Sequence, residues 1–261
     1  MPDSRFTEVE VALLVCADEP EAVADAIAGL ADIGGYALTP EPEQAIHDLY
    51  FDFDDGRLAA HGIALRVRNV NARTLLTVKG PGRRAGAGAH DRMEVEGDWS
   101  LRALSHALHI IAGFDVEVPE LVETAGPRES HAALANLGLT VIQDRRTLRR
   151  PRRVARAKKP DANLAELAVD IVDYMFDRGG ARLFEVEVET THLAGSLVLS
   201  EISGALLRRW PRELRRWEYS KITTGLALAE AAENGSLAHI LSADGTVKAE
   251  GCGELEQILG G

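Results

Sequence analysis

Glutamates recur at every second position in three separated places, Glu8-Val9-Glu10, Glu94-Val95-Glu96 and Glu185-Val186-Glu187-Val188-Glu189. Each set sits in a strand-like run, and side chains alternate across a strand, so each set of carboxylates lines one face. Basic segments with the same alternation, Arg66-Val67-Arg68 and Leu75 to Lys79, lie between the acidic ones in the chain. An antiparallel sheet can turn one charged face to water. Acidic and basic walls in one chain point further, to a closed barrel with a charged interior. Facing like charges about 4 Å apart interact by roughly 4 kcal/mol at an effective dielectric of 20, so an unbalanced acidic interior would repel itself. Interior bases and a metal relieve that repulsion, and such an interior suits a polyanion.

The 261 residues carry a net charge of -12, which argues against a general nucleic-acid coat but allows a basic lining inside an acidic shell. Cys16 and Cys252 are too few for a disulfide scaffold and form no Cys-x-x-Cys pair, which favours a reducing compartment. Met1 to Arg5 leads into a strand without the basic and apolar regions of a signal peptide, and no apolar run is long enough to span a bilayer. A cytoplasmic location without membrane contact is expected.

Local signals place the elements. Asp18 is the expected cap of a helix with Pro20 in its first turn and Val23, Ile27 and Leu30 on one face, stopped at Gly34-Gly35. Strands are expected over 46–53, 63–70, 74–79 and 92–98, with a hairpin connection at Asn69 to Arg73. Helical spacing follows over 101–111 and 130–137, then strands over 139–148, 164–175 and 181–190. Helices resume over 195–210, break at Pro211 and return over 222–232; Trp210 and Trp217 read as packing a helix onto the sheet. Residues 1–232 thus form one α+β domain, and 233–261 a tail left unassigned.

Hard divalent cations take oxygen ligands, and Mg2+ is commonly held by one or two carboxylates plus phosphate oxygens. Glu8 and Glu10 sit about 7 Å apart along a strand face, and Glu185 and Glu187 repeat that geometry. Asp170 interrupts the apolar strand Ala168-Val169-Asp170-Ile171-Val172. Arg66, Arg68, Lys79 and Arg92 supply the guanidinium and ammonium groups that match phosphate oxygens. The Gly80-to-Gly88 loop lacks the spacing of a P-loop or a dinucleotide fingerprint, and His47, His61 and His90 show no metal-ligand spacing. Nine bases between Arg145 and Lys159 read either as a solvated hairpin or as a basic tunnel mouth.

The run from Asp48-Leu49-Tyr50-Phe51-Asp52 through His61-Gly62-Ile63-Ala64-Leu65-Arg66-Val67-Arg68 resembles the CYTH domain, the catalytic unit of the triphosphate tunnel metalloenzymes. Thr77-Val78-Lys79-Gly80, Arg92-Met93-Glu94-Val95-Glu96, Phe184 to Glu189 and Ser220-Lys221 continue the likeness in family order. The resemblance implies a closed antiparallel eight-stranded β-barrel, a tunnel with helices packed outside, which binds a triphosphate or polyphosphate and one or two Mg2+ or Mn2+ ions. It implies metal ligands at Glu8, Glu10, Asp170, Glu185 and Glu187. It implies phosphate contacts from Arg66, Arg68, Lys79, Arg92, Lys221 and one of Arg145 and Arg146, with Arg146 preferred. The implied activity is hydrolysis of a triphosphate compound, first of all inorganic triphosphate, with Glu8, Glu10, Arg66, Arg68 and Lys79 at the reacting groups. The alternatives are an adenylyl cyclase or a non-catalytic binding module. One position departs from the family pattern: Glu-x-Glu-x-Lys reads Glu8-Val9-Glu10-Val11-Ala12 here.

Overall fold

The computed structural model describes residues 5–84, 90–121, 129–156, 163–177, 179–190 and 196–260; the side chains of 5–8, 83, 84, 90–92 and 196 lie outside that description. Alternating apolar and charged residues form a mostly antiparallel sheet. Its long strands are β1 (Arg5–Val15), β4 (Gln44–Phe53), β5 (Ala64–Val70), β6 (Arg73–Lys79), β8 (His90–Asp98), β9 (Leu139–Arg156), β10 (Ala165–Phe176) and β11 (Gly179–Thr190). Hydrogen-bonded neighbours run β10-β11-β1-β8-β6-β5-β4-β9, and β9 also pairs with β10 from Ala165↔Val154 to Met175↔Asp144. The short strands β2 (Asp32–Ile33) and β3 (Tyr36–Pro40) extend this sheet from β9, β7 (Arg83–Arg84) pairs with β8, and β12 (Leu214–Trp217) pairs with β1. The described sheet therefore has twelve strands, four more than the eight expected.

Helices cover the apolar outer face. Val9, Val11, Leu13 and Val15 of β1 join Val186 and Val188 of β11 against α1 (Pro20–Ala28) and α5 (Ser196–Arg209). On another flank, Leu65, Val67, Leu76 and Val78 meet Leu104, Leu108 and Ile111 of α3 (Leu101–Ala112) and the short α4 (Ser130–Ala135). Asp52, almost fully buried, accepts bonds from Leu58 N and Ala59 N at 2.9 Å and so fixes α2 (Arg57–Ala60).

Several local expectations shift. Glu19 rather than Asp18 occupies the cap position of α1, with no side-chain capping bond. Gly34 and Gly35, at φ 60° and 86°, turn the β2–β3 hairpin instead of ending that helix. The β5–β6 hairpin turns on Asn71 and Ala72, both in the left-handed region at φ 49° and 61°. The break at Pro211 and the return of helix by 222 are as expected, but the segment between them forms β12, which puts Leu214 and Trp217 on a strand rather than on a helix.

Beyond α6 (Lys221–Glu233) the tail is ordered. Leu237, Ile240, Val247 and Leu255 join a third core cluster with Trp217, and α7 (Gly251–Gly260) closes it. Cys16 and Cys252, which composition assigned to a reducing compartment, are joined as a disulfide with 6.1 Å between their Cα atoms. Among the described residues no helix is long and apolar enough to cross a membrane.

Candidate functional site

Strand alternation carries charged side chains of β1, β5, β6, β8, β9, β10 and β11, with Tyr50 of β4, to one cavity of about 640 Å3. Among its lining residues, seven carboxylates (Glu10, Glu94, Glu96, Asp170, Glu187, Glu189 and Glu218) face six bases (Arg66, Arg68, Lys79, Arg145, Arg149 and Lys221). The charges are not evenly mixed; they form two networks.

The first is centred on Asp48 of β4, which is 0% exposed. Arg68 donates from Nε to Oδ1 at 2.7 Å and from Nη2 to Oδ2 at 2.9 Å, Arg145 Nη2 shares Oδ2, and Arg66 Nε stands at 3.9 Å from Oδ1. Burial raises a carboxyl pKa, but the charges of Arg66, Arg145 and Arg68 outweigh it and hold Asp48 well below the usual carboxylate range. Arg66 also reaches Glu96 at 3.0 Å and Glu94 at 3.4 Å, while Lys79 meets Glu94 at 2.7 Å. Tyr50 lies beneath this basic group. Its burial opposes ionisation, yet Arg145 and Arg66 bring its pKa down to about 8. Arg145 is only 2% exposed, and its Nη2 donates to Asp48 and Tyr50, but its Nε and Nη1 have no hydrogen-bond partner among the described residues.

The second network is acidic. Cross-strand register sets Asp170 of β10 opposite Glu185 of β11 and opposite Arg149 of β9. Arg149 bonds both Asp170 oxygens at 3.0 Å and also bonds Glu187. Lys221 Nζ enters from the first residue of α6 and meets Asp170 at 3.1 Å, Glu185 at 3.2 Å and Glu187. Burial alone would lower the lysine pKa; Glu185, Glu187 and Asp170 together hold it well above the ordinary value. The two glutamates diverge: burial pushes Glu185 up, whereas Lys221 and Arg149 overcome the burial of Glu187 and bring it down. Nearer the solvent, Glu10, Glu187 and Glu189 bring one carboxylate oxygen each within 4.8 Å of the others. Three hard oxygen donors so placed suit Mg2+ or Mn2+.

The sequence-derived residues distribute as follows. Glu10, Arg66, Arg68, Lys79, Asp170, Glu187 and Lys221 line the cavity, with Glu185 buried just behind. Glu8 and Arg92 are Cα partners across β1 and β8, but their side chains lie outside the described residues, as do Lys158 and Lys159. Arg146 is exposed on the opposite face of β9; Arg145 holds the inward position. Two inward residues were missed. Arg149 follows Arg145 by two alternations and was hidden in the basic run, and Glu189 ends the Glu-x-Glu-x-Glu series whose first two members alone were assigned. Ala12 does line the cavity and is the Cα partner of Glu187.

A search of curated proteins finds no match. Among solved structures, the chain is similar to HpAC1 from Hippeastrum, described as an adenylyl cyclase candidate with a dominant triphosphatase activity, at 16% identity over 87% of this chain and 96% of that one, with a TM-score of 0.52. It is also similar to an adenylate cyclase candidate from Bacillus halodurans (19% identity, 84% and 96% covered, TM-score 0.49). A third likeness is the PH1819 protein of Pyrococcus horikoshii OT3 (16% identity, 87% and 99% covered, TM-score 0.48). The model of the CYTH domain matches residues 7–199, from the first acidic strand through the last, and the chain belongs to that family.

Proposed function

We propose that the cavity is the active site of a divalent-metal-dependent hydrolase of a triphosphate compound, with inorganic triphosphate as the first candidate substrate. The reading takes the eight long strands as one tunnel, which the additional β9–β10 ladder supports. The observation that carries it is Arg145. An unsatisfied buried donor costs about 1–3 kcal/mol, and a guanidinium with Nε and Nη1 unsatisfied beside a cavity calls for an anionic oxygen from a ligand.

Arg66, Arg68, Lys79, Arg145 and Arg149 would bind successive phosphoryl groups, with Arg92 a further candidate from the sequence. Asp48 holds three of these guanidiniums in fixed positions, so little orientation is lost on binding. The carboxylates of Glu10, Glu187 and Glu189, with Asp170 and Glu185 near them and Glu8 as a further candidate from the sequence, would hold Mg2+ or Mn2+, which supplies charge neutralisation on phosphoryl oxygens when bound. Water attacks the terminal phosphorus, the anhydride P–O bond breaks, and the basic wall stabilises charge on the equatorial and leaving oxygens.

Ala12 favours a second reading, a triphosphate or polyphosphate binder without turnover, since a methyl group offers no charge to a transition state. A phosphate-release screen of inorganic triphosphate, nucleoside triphosphates and thiamine triphosphate with Mg2+ and Mn2+ separates the two. Hydrolysis should fall by on the order of 10²–10³ in Arg145→Ala, the scale of losing one electrostatic donor. Binding without phosphate release would select the second reading, and pyrophosphate with a cyclic nucleotide would select a cyclase.

A further inference from the structure

Residues 234–260 lie beyond the stretch that the CYTH model matches, and they pack behind one wall of the cavity. That wall is continuous in the chain: Trp217, Glu218, Tyr219, Ser220 and Lys221, from the end of β12 to the first residue of α6, all line the cavity. Leu237, Ile240, Val247, Cys252 and Leu255 share a core cluster with Trp217 and with Leu228 and Ala231 of α6, and Tyr219 packs against it. A methyl group on Gly260, the last residue of α7, would stand 3.3 Å from Tyr219 Oη, so the end of α7 abuts a lining residue. Tyr219 in turn meets Trp217 edge-on, with ring centroids 5.2 Å apart.

This strap is held by packing, by backbone bonds and by one cross-link. Arg182 N donates to Gly245 O at 2.8 Å, Val247 N to Arg182 O at 3.0 Å, and Leu237 N to Ala231 O at 2.9 Å. The cross-link joins Cys252, the second residue of α7, to Cys16, which directly follows β1, the strand that brings Glu10 and Ala12 to the cavity. Chain termini lose order unless tied down, and α7 has ten residues, fewer than the roughly 12–15 below which an isolated helix is marginal in water. α6 has its own hold on the sheet: Gln143 Nε2 donates to Ile222 O at 2.9 Å, and Trp217 Nε1 donates to Thr224 Oγ1 at 3.1 Å. Cutting the cross-link would therefore unseat α7 and the backing of Tyr219 while α6 stays in place.

We infer that Cys16–Cys252 is a redox latch on the cavity: joined, it seats α7 behind Trp217 and Tyr219; reduced, it releases the strap and weakens the hold on a polyanion. This rests on the triphosphate reading above and adds a control to it. The stretch that loses its backing ends at Lys221, a base of the cavity, so the change is one of affinity and not of fold. The reductant is a dithiol. One of its thiolates attacks a cysteine sulfur, the S–S bond breaks and a mixed disulfide forms; its second thiol then displaces the other cysteine. Two electrons pass to Cys16 and Cys252, two protons complete their thiols, and the dithiol leaves as a disulfide. Cys16 and Cys252 are 5% and 1% exposed, so the attack follows a local opening of α7.

The test compares the oxidised and the dithiothreitol-reduced full chain with inorganic triphosphate, without divalent metal so that nothing is turned over. Calorimetry should give a Kd about fivefold or more higher for the reduced chain. Reciprocity then requires saturating triphosphate to lower the reduction potential of the bond by about 20 mV or more, which is fivefold at about 30 mV per tenfold. Hydrogen exchange should rise on reduction at 217–222 and 251–260 and stay unchanged in β4, β5 and β9. Cys252→Ser should match the reduced chain; if it does not fold, the reduced wild type decides. Equal Kd in the two states with an unshifted potential overturns the latch and leaves the hydrolase reading standing. A loss of exchange protection throughout the chain on reduction overturns it as well. Triphosphate binding in neither state sinks the hydrolase reading; a rise in exchange at 217–222 then supports the latch, and unchanged exchange there overturns it.

Discussion

Replacing Asp48 by Asn should destabilise the protein more than any single exposed substitution, and for a reason that a polyanion can reverse. The side chains of Asp48, Arg145 and Arg66 are 1%, 2% and 4% exposed, so solvent screens their interaction little. Removing one partner of a buried ion pair costs about 3–5 kcal/mol, because the charge left behind stays buried. Arg66 keeps Glu94 and Glu96, and Arg68 is partly exposed, whereas Arg145 keeps only Tyr50, which places the expected loss near the lower end. About 3 kcal/mol corresponds to a fall in Tm of roughly 6–12 °C for a chain of this size. Urea and thermal unfolding at low salt measure it. The folded pKa of Asp48 is depressed, so its contribution is fully present above the ordinary aspartate value and is lost only as pH falls through the depressed one. The gap between wild type and variant should therefore be constant from neutral pH down to the ordinary aspartate range and close only in stronger acid. Inorganic triphosphate at about 100 times its Kd stabilises by roughly 2.7 kcal/mol and should restore most of the loss, since its oxygens replace the missing carboxylate. A variant within about 1 kcal/mol of the wild type, with an unchanged dependence on urea, would refute the view that Asp48 holds the basic wall together.

Three further outcomes follow from separate features. Ultraviolet titration should show one of the four tyrosines ionising near pH 8, a step absent from Tyr50→Phe; because the folded pKa of about 8 lies below the ordinary 10, the associated stability is full above pH 10 and is lost as pH falls to 8. An unchanged titration in Tyr50→Phe would assign the step elsewhere. Ala72→Gly should raise stability by about 1 kcal/mol, as the left-handed φ of 61° suits glycine, and a lower Tm would contradict the hairpin geometry. Reduction of the Cys16–Cys252 bond, or Cys252→Ala, should cost about 2–4 kcal/mol because it releases a loop of 236 residues in the unfolded chain; equal melting with and without reductant would show that the bond contributes nothing.

Much of the site was legible because a strand has period two. Once Glu10, Arg66 and Glu187 share an interior, their neighbours at even spacing follow, and the apolar residues between them face the helices. The same rule left Arg145 and Arg146 undecided, since bases occupy both faces of that segment, and only pairing with β4 and β10 settles which face turns inward. Glu189 was visible in the pattern but lacked a partner in the sequence; its place beside Glu10 comes from the β1–β11 register. β12 is four residues long, too short for periodicity to reveal. The link between Cys16 and Cys252 spans 236 positions, and no local signal carries such a contact.

The 18-residue strand β9 has a consequence for how the molecule assembles. It carries Arg145 to the Asp48 network and Arg149 to the Asp170 network, four positions apart on the same face. Its partners β4 and β10 stand about a hundred residues before it and only a short way after it, so the first ladder is a slow, non-local event and the second a rapid, nearly local one. A slip of one residue in either ladder would turn both arginines outward together. The wall built on Asp170 and Arg149 is therefore expected to register first, and the wall built on Asp48 and Arg145 to wait for β4.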